Sequence, residues 1–155
     1  MTVVRYPGGS LVFGKRTYVM GVLNVTPDSF SDGGDWLSPD RAVRRARAMV
    51  REGAHLIDVG GVSTRPGARP VSADEEIRRV IPVVERLARE GILVSIDTSK
   101  AAVAGAAFRA GARILNDITA LRGDPGMARA ASRAKVAVIL MHMKGTPRTM
   151  QRNPQ

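Results

Sequence analysis

The chain contains no cysteine among its 155 residues, which excludes disulfide scaffolds, thiolate metal sites and cysteine nucleophiles. Aromatic residues make up only 4%, too few to build stacking platforms for unpaired bases. The longest unbroken apolar run, Val136 to Met141, falls far short of the roughly 20 residues that a membrane helix needs. Met1-Thr2-Val3-Val4-Arg5 opens the chain without an apolar secretory segment, so a soluble, cytoplasmic protein with no membrane partner is expected. Acidic residues are also scarce, 14 against 24 Lys plus Arg, for a net charge of +10. That balance raises nucleic acid as a partner. However, 20 of the 24 basic residues are Arg, and many alternate with apolar positions. Arg41, Arg44, Arg45, Arg47 and Arg51 share a segment with Ala42, Val43, Ala46, Met49 and Val50. A solvated helix face explains them, and no nucleic-acid partner is expected.

What remains is ordinary globular composition, 44% hydrophobic and 25% charged, in a chain of single-domain length. The pattern along it is strand, loop, helix, repeated. Val3 to Phe13 around Pro7-Gly8-Gly9 reads as a hairpin. A first strand spans Tyr18 to Leu23. Ser38-Pro39-Asp40 then starts a helix with a hydroxyl cap, a first-turn Pro and an acid at the positive dipole end, and Gly53 stops it. Leu56 to Val59 is the second strand. Ser72 with Glu75 forms a capping box. The helix it opens carries Ile77, Val80, Ile81, Val84 and Leu87 at helical spacing to Gly91, with a kink or restart expected at Pro82. A third strand follows at Ile92 to Ile96, then a helix from about Lys100 to Ala110. A fourth strand spans Arg113 to Leu115, another capped helix opens at Asp124-Pro125, and a fifth strand covers Val136 to Met141.

Such alternation implies parallel βα units with right-handed crossovers. Each strand ends near a polar residue: Asn24, Asp58, Asp97, Asn116 and His142. Active sites of (β/α)8 barrels and of doubly wound sheets are built at those ends. No Gly-x-Gly-x-x-Gly follows the first strand, which weakens a dinucleotide-binding sheet. An open five-stranded sheet and the front part of a barrel both stay open at this level.

Two loops exceed the usual length of βα connections. One reads Asn24-Val25-Thr26-Pro27-Asp28-Ser29-Phe30-Ser31-Asp32-Gly33-Gly34, the other Asp58-Val59-Gly60-Gly61-Val62-Ser63-Thr64-Arg65-Pro66-Gly67-Ala68. Glycine pairs, hydroxyls and an Arg suit an anion, through backbone N–H groups and a planar guanidinium fork. Flexible surface loops are the plainer reading.

Together with Ser95-Ile96-Asp97-Thr98-Ser99-Lys100, Leu115-Asn116-Asp117-Ile118 and Leu140-Met141-His142-Met143, this wording strongly resembles the dihydropteroate synthase family over nearly the whole chain. The resemblance implies a (β/α)8 TIM barrel, of which residues 1–155 would supply a hairpin and about five strands as one domain continuing on its C-terminal side. It implies a transferase of folate biosynthesis, a sulfonamide target, that joins 6-hydroxymethyl-7,8-dihydropterin diphosphate to 4-aminobenzoate and releases diphosphate. Full-length members are expected to be homodimers. Carried across residue by residue, Asn24 matches the position that contacts Mg2+ and the leaving diphosphate, a hard cation suited to oxygen ligands. Thr64 and Arg65 match positions near diphosphate and aminobenzoate. Asp97 and Asn116 match the pterin readers, where a carboxylate accepts from the pterin amino group and ring N–H and an amide both donates and accepts. Met141 matches a position lining the pterin site. Asp32 matches a residue near a cationic pterin left when diphosphate departs, making Asp32 and Arg65 the catalytic candidates. Phe30, Ser31 and Pro66 match substrate-binding loop positions, Phe30 and Pro66 as a lid over the aminobenzoate.

Competing local roles exist: a strand-end cap for Asn24, a helix cap for Asp97, a turn residue for Asn116, a loop anchor for Phe30, barrel core for Met141. Val62 departs from the family, which often has Glu there. His55 reads as structural and His142 as no metal ligand. The family completes its site with an Asp after strand six, a Lys and Ser on the seventh unit, and an Arg and His on the last strand, so the 155 residues alone are expected to be inactive. Other readings are a methyltetrahydrofolate-corrinoid methyltransferase, which shares the Asp and Asn but not the long loops, a non-catalytic pterin-binding module, and a basic RNA-binding protein.

Overall fold

A computed structural model of the chain describes residues 1–26, 38–62 and 70–142. The hairpin forms from β1 (Thr2–Tyr6) and β2 (Gly9–Phe13), paired antiparallel with Tyr6 opposite Gly9. Its turn needs Gly8, whose φ of 90° few side chains tolerate. Then come β3 (Met20–Asn24), α1 (Pro39–Arg51), β4 (Leu56–Gly60), α2 (Ala73–Arg89), β5 (Val94–Asp97), α3 (Ala101–Ala110), β6 (Ile114–Asp117), α4 (Met127–Ala134) and β7 (Ala137–Leu140). The five strands from β3 to β7 are all parallel and lie side by side in chain order.

That order settles the choice left open by the sequence. A doubly wound sheet reverses strand order at a switch point. Here each strand is added to the same edge, and one buried cluster unites α1, α2, α3 and α4 with Leu23, Ile57, Val59, Val94, Ile96 and Leu115. All four helices therefore cover one face, the winding of a (β/α) barrel. The other face is apolar at the start of the strands, where Leu56, Ile114 and Ala137 pack against Val4, Tyr6 and Leu11 of the hairpin. The hairpin thus plugs the end opposite the strand tips. At the sheet's edges, Val22 on β3 is 55% exposed and Leu140 on β7 53%.

The helices start as their sequences dictate, with three exceptions. One is α4, which begins at Met127 and not at Asp124-Pro125, without a side-chain cap bond; Met127 N–H donates to Asp124 O at 3.0 Å. Ser72 Oγ accepts from Glu75 N–H at 3.2 Å, half of the capping box, but the Glu75 carboxylate turns outward to Arg78 and Arg79. Ser38 stands at the start of α1 without a side-chain cap bond, Pro39 and Asp40 serving there instead, and Asp40 pairs with Arg86 of α2. Pro82 neither ends nor restarts α2, which runs unbroken to Arg89. Val80, Val83, Val84 and Leu87 are fully buried along it, and that burial outweighs one missing hydrogen bond.

The strands β3 to β6 run further at their C-terminal ends than periodicity indicates, whereas β7 stops at Leu140, short of the expected Met141. Asn24, Asp97 and Asn116 belong to the ladder, and Gly60 is the last residue of β4.

Candidate functional site

Register across the sheet places Asn24 opposite Gly60, Gly60 opposite Asp97, Asp97 opposite Asn116, and Asn116 opposite Ile139. Register partners in parallel strands point to the same face, here the one turned away from the helices. Three of the five polar strand-end residues, Asn24, Asp97 and Asn116, therefore form one row. Asp58 lies two residues down β4, opposite Ser95, and belongs to the layer beneath. His142 lies beyond the end of β7 and is exposed, so the fifth strand contributes Ile139 to the row.

The two layers are joined by a hydrogen bond. Asn116 Nδ2 donates to Asp58 Oδ2 at 2.8 Å. Asn116 is thus a ladder residue and not part of a turn; the turn after β6 is held by Asp117, which accepts from Thr119 N–H and Leu121 N–H. Asp58 is 2% exposed, and its Oδ1 and the Ser95 Oγ are buried without a partner in hydrogen-bond geometry. Burial raises the Asp58 carboxyl above its ordinary range, with the neighbouring Ser95 hydroxyl and the Asn116 amide pulling the other way.

Asp97 is the most perturbed group of the row. It is half-buried, and among the described residues it accepts no hydrogen bond. Burial first, then the negative charges of Asp58, Glu76 and Asp117, push its carboxyl up to about 7. Nor does it cap α3. Asp124 Oδ2 takes the Ala101 N–H at 2.8 Å, and Thr98 Oγ1 takes the Lys100 N–H. Asp97 is therefore an acceptor left over by the described residues, beside Gly60, where an added Cβ would lie 3.4 Å from Asp97 Oδ2 and 3.7 Å from Asn24 Oδ1. A carboxylate so perturbed, with no hydrogen-bond partner among the described residues, marks a functional position.

Asn24 is exposed at the tip of β3, its amide without a hydrogen-bond partner among the described residues. Met141 is half-buried just past β7, its N–H donating to Asp117 O at 3.3 Å. Asp32, Phe30, Ser31, Thr64, Arg65 and Pro66 all lie outside the described residues. His55 has a structural place at the far end: its Nδ1 accepts from Val19 N–H at 3.1 Å and its ring meets Tyr18 edge-on. Surface cavities of about 390 and 510 Å3 also open at that far end, away from the row.

Sequence reasoning missed Glu76. It is 1% exposed, and its Oε2 pairs with Lys100 Nζ at 2.5 Å. The signal was present: Glu76 stands four residues before Val80 and seven before Val83, on the buried stripe of α2.

Known proteins place this arrangement in a class. The pterin binding enzyme family model matches residues 20–155, and the chain belongs to that family. Its relatives are more particular. Dihydropteroate synthase of Synechocystis is 51% identical over 148 residues, covering 94% of this chain and 51% of that protein. The crystal structure of dihydropteroate synthase from Clostridium difficile with pteroic acid is 51% identical, with a TM-score of 0.82 over 86% of this chain and 51% of the other. A Yersinia pestis dihydropteroate synthase in complex with a sulfonamide drug is 49% identical, with a TM-score of 0.87 over 99% of this chain and 56% of the other. The chain spans about half the length of the relatives it matches.

Proposed function

We propose that this chain carries the pterin-reading part of a dihydropteroate synthase, which joins 6-hydroxymethyl-7,8-dihydropterin diphosphate to 4-aminobenzoate, giving 7,8-dihydropteroate and diphosphate. The observation that carries the reading is the row itself: an acceptor without a partner among the described residues, Asp97, directly opposite an amide, Asn116, that is oriented by a buried carboxylate. A flat heterocycle edged with alternating donors and acceptors matches that pair. The relatives' names, and the Clostridium difficile structure determined in the presence of pteroic acid, support it.

In the reaction the carbon–oxygen bond to diphosphate breaks and the arylamine nitrogen bonds to the same carbon, losing a proton. The arylamine is neutral and nucleophilic, so the chain needs to supply no strong base. Asp97 orients the pterin by accepting from its amino group and ring N–H, and Asn116 reads the neighbouring edge. Asp32 offsets positive charge on the pterin as diphosphate leaves. Thr64 and Arg65 hold the anionic groups, with Arg65 stabilising the departing charge. Phe30, Ser31 and Pro66 enclose the aminobenzoate. For these six loop residues the support is their match to the family wording.

Mg2+ fits Asn24. Among the described residues no group of three His, Cys, Asp or Glu is gathered to cage a metal, whereas one exposed amide oxygen suits an ion coordinated mainly by phosphate and water. When bound there, Mg2+ would supply positive charge to the leaving diphosphate. Among the described residues no helix is long and apolar enough to cross a membrane; the cytoplasmic location is part of the proposal and rests on the family wording. A homodimeric full-length enzyme and sensitivity to sulfonamides complete the proposal.

The test is direct. Equilibrium binding of 6-hydroxymethylpterin, read by its fluorescence, is expected to weaken roughly ten- to a hundredfold in Asn116→Ala, since the half-buried amide is lost and the buried Asp58 carboxylate loses its donor. Unchanged affinity in a folded variant would overturn the reading.

A further inference from the structure

The last residue of β4, Gly60, and the one after it, Gly61, are consecutive glycines held between two acids. On one side an added Gly60 Cβ would touch Asp97; on the other, a Gly61 Cβ would come within 2.9 Å of Glu76 Cγ and 2.8 Å of Val80 Cγ1. Arg79 of the same helix donates to Gly61 O at 3.0 Å, held there by Glu75. Glu76, in the first turn of α2, thus reaches behind the strand whose front face carries the row. Its charge, almost wholly removed from water, is answered by Lys100, only three residues beyond Asp97 in the segment joining β5 to α3.

We propose that Glu76 and Lys100 are positioning residues: their ion pair fastens the segment after β5 to the start of α2 and so fixes Asp97 beside Gly60. The inference rests on the pterin reading of Asp97. Neither residue faces the row, so neither touches substrate. Among the described residues, the charged groups that bear on Asp97 are Asp58 from β4, Glu76 from α2 and Asp117 from β6, all acids, and each raises its carboxyl. Lys100 is the cation set against the second of them. A purely structural brace could take any pair of complementary side chains. This one adds an electrostatic link, because the acid that fastens Lys100 also bears on the pterin-reading carboxylate.

The test uses the full-length protein, Glu76→Gln, Lys100→Met and the double variant, with the Asp97 carboxyl followed by 13C NMR across pH. Removing the Glu76 charge is expected to lower the Asp97 midpoint by about half a pH unit or more, in the single and in the double variant. Lys100→Met, which unfastens the segment, is expected to weaken 6-hydroxymethylpterin binding about tenfold. If burying Glu76 alone unfolds that variant, the double variant, with no uncompensated charge, reads both quantities. A midpoint unmoved by loss of Glu76, or pterin affinity unmoved by loss of Lys100, overturns the proposal. Midpoints that shift as stated in a protein that binds no pterin would sustain the electrostatic link and overturn the substrate reading instead.

Discussion

Replacing Asp97 with Asn should make the protein more stable while removing its pterin affinity. A carboxyl with an ordinary value of 3.8 that is pushed to about 7 in the fold binds its proton more tightly folded than unfolded. Between those values unfolding releases a proton, so stability falls as pH rises. The cost is complete above pH 7, is relieved as pH falls through about 7, and vanishes below the unfolded value. Roughly three pH units correspond to an upper bound of about 4 kcal/mol; partial exposure of the group reduces this to about 1–2 kcal/mol. Because Asp97 accepts no hydrogen bond from a described residue, Asn removes the charge without orphaning a partner. Urea denaturation at pH 5, 6.5 and 8 measures the effect. The variant is expected to gain about 1–2 kcal/mol over the parent at pH 8 and little at pH 5. A loss of stability that is the same at all three values would refute the reasoning.

The same carboxyl sets the pH response of ligand binding: a pterin donates to the ionised form, so affinity for 6-hydroxymethylpterin should fall as pH drops from 8 to 6, and a flat profile by fluorescence titration would count against it. Gly111, at φ 116° and with Ala88 Cβ only 2.5 Å from an added Cβ, holds α2 close to the end of α3; Gly111→Ala is expected to cost about 2 kcal/mol or more, combining backbone strain with overpacking, read as a lower urea midpoint. Ser72→Ala removes the cap of α2 and should cost about 1 kcal/mol, with Ser72→Asp restoring it.

Much of the fold was legible because βα units write their period plainly. The helices α1 and α2 were found from capping residues and spacing, and each parallel strand from a short apolar run, whereas α4 begins later than Asp124-Pro125 indicated. What periodicity could not give was where a strand stops. Asn24, Asp97 and Asn116 are polar, and a reading based on apolar runs ends each strand before them, yet their backbones continue the ladder. The same blindness put Asp58 at a tip, although its place in the row belongs to Gly60, which has no side chain to announce itself. Strand order decided the barrel winding and is invisible locally, since it depends on which edge receives each new strand. Glu76 was passed over because an acid in a helix's first turn has an ordinary explanation in the dipole, and only its phase against Val80 and Val83 betrays burial.

Asp124 joins two βα units through a single carboxylate, one oxygen capping α3 at Ala101 N–H and the other taking Gly126 N–H at the entry to α4. Those two bonds hold its carboxyl below the usual range, so the knot is tied at neutral pH and slackens only as acid protonates it. Native-state amide exchange should therefore find the first turns of both helices opening together, and Asp124→Ala should let each fray on its own.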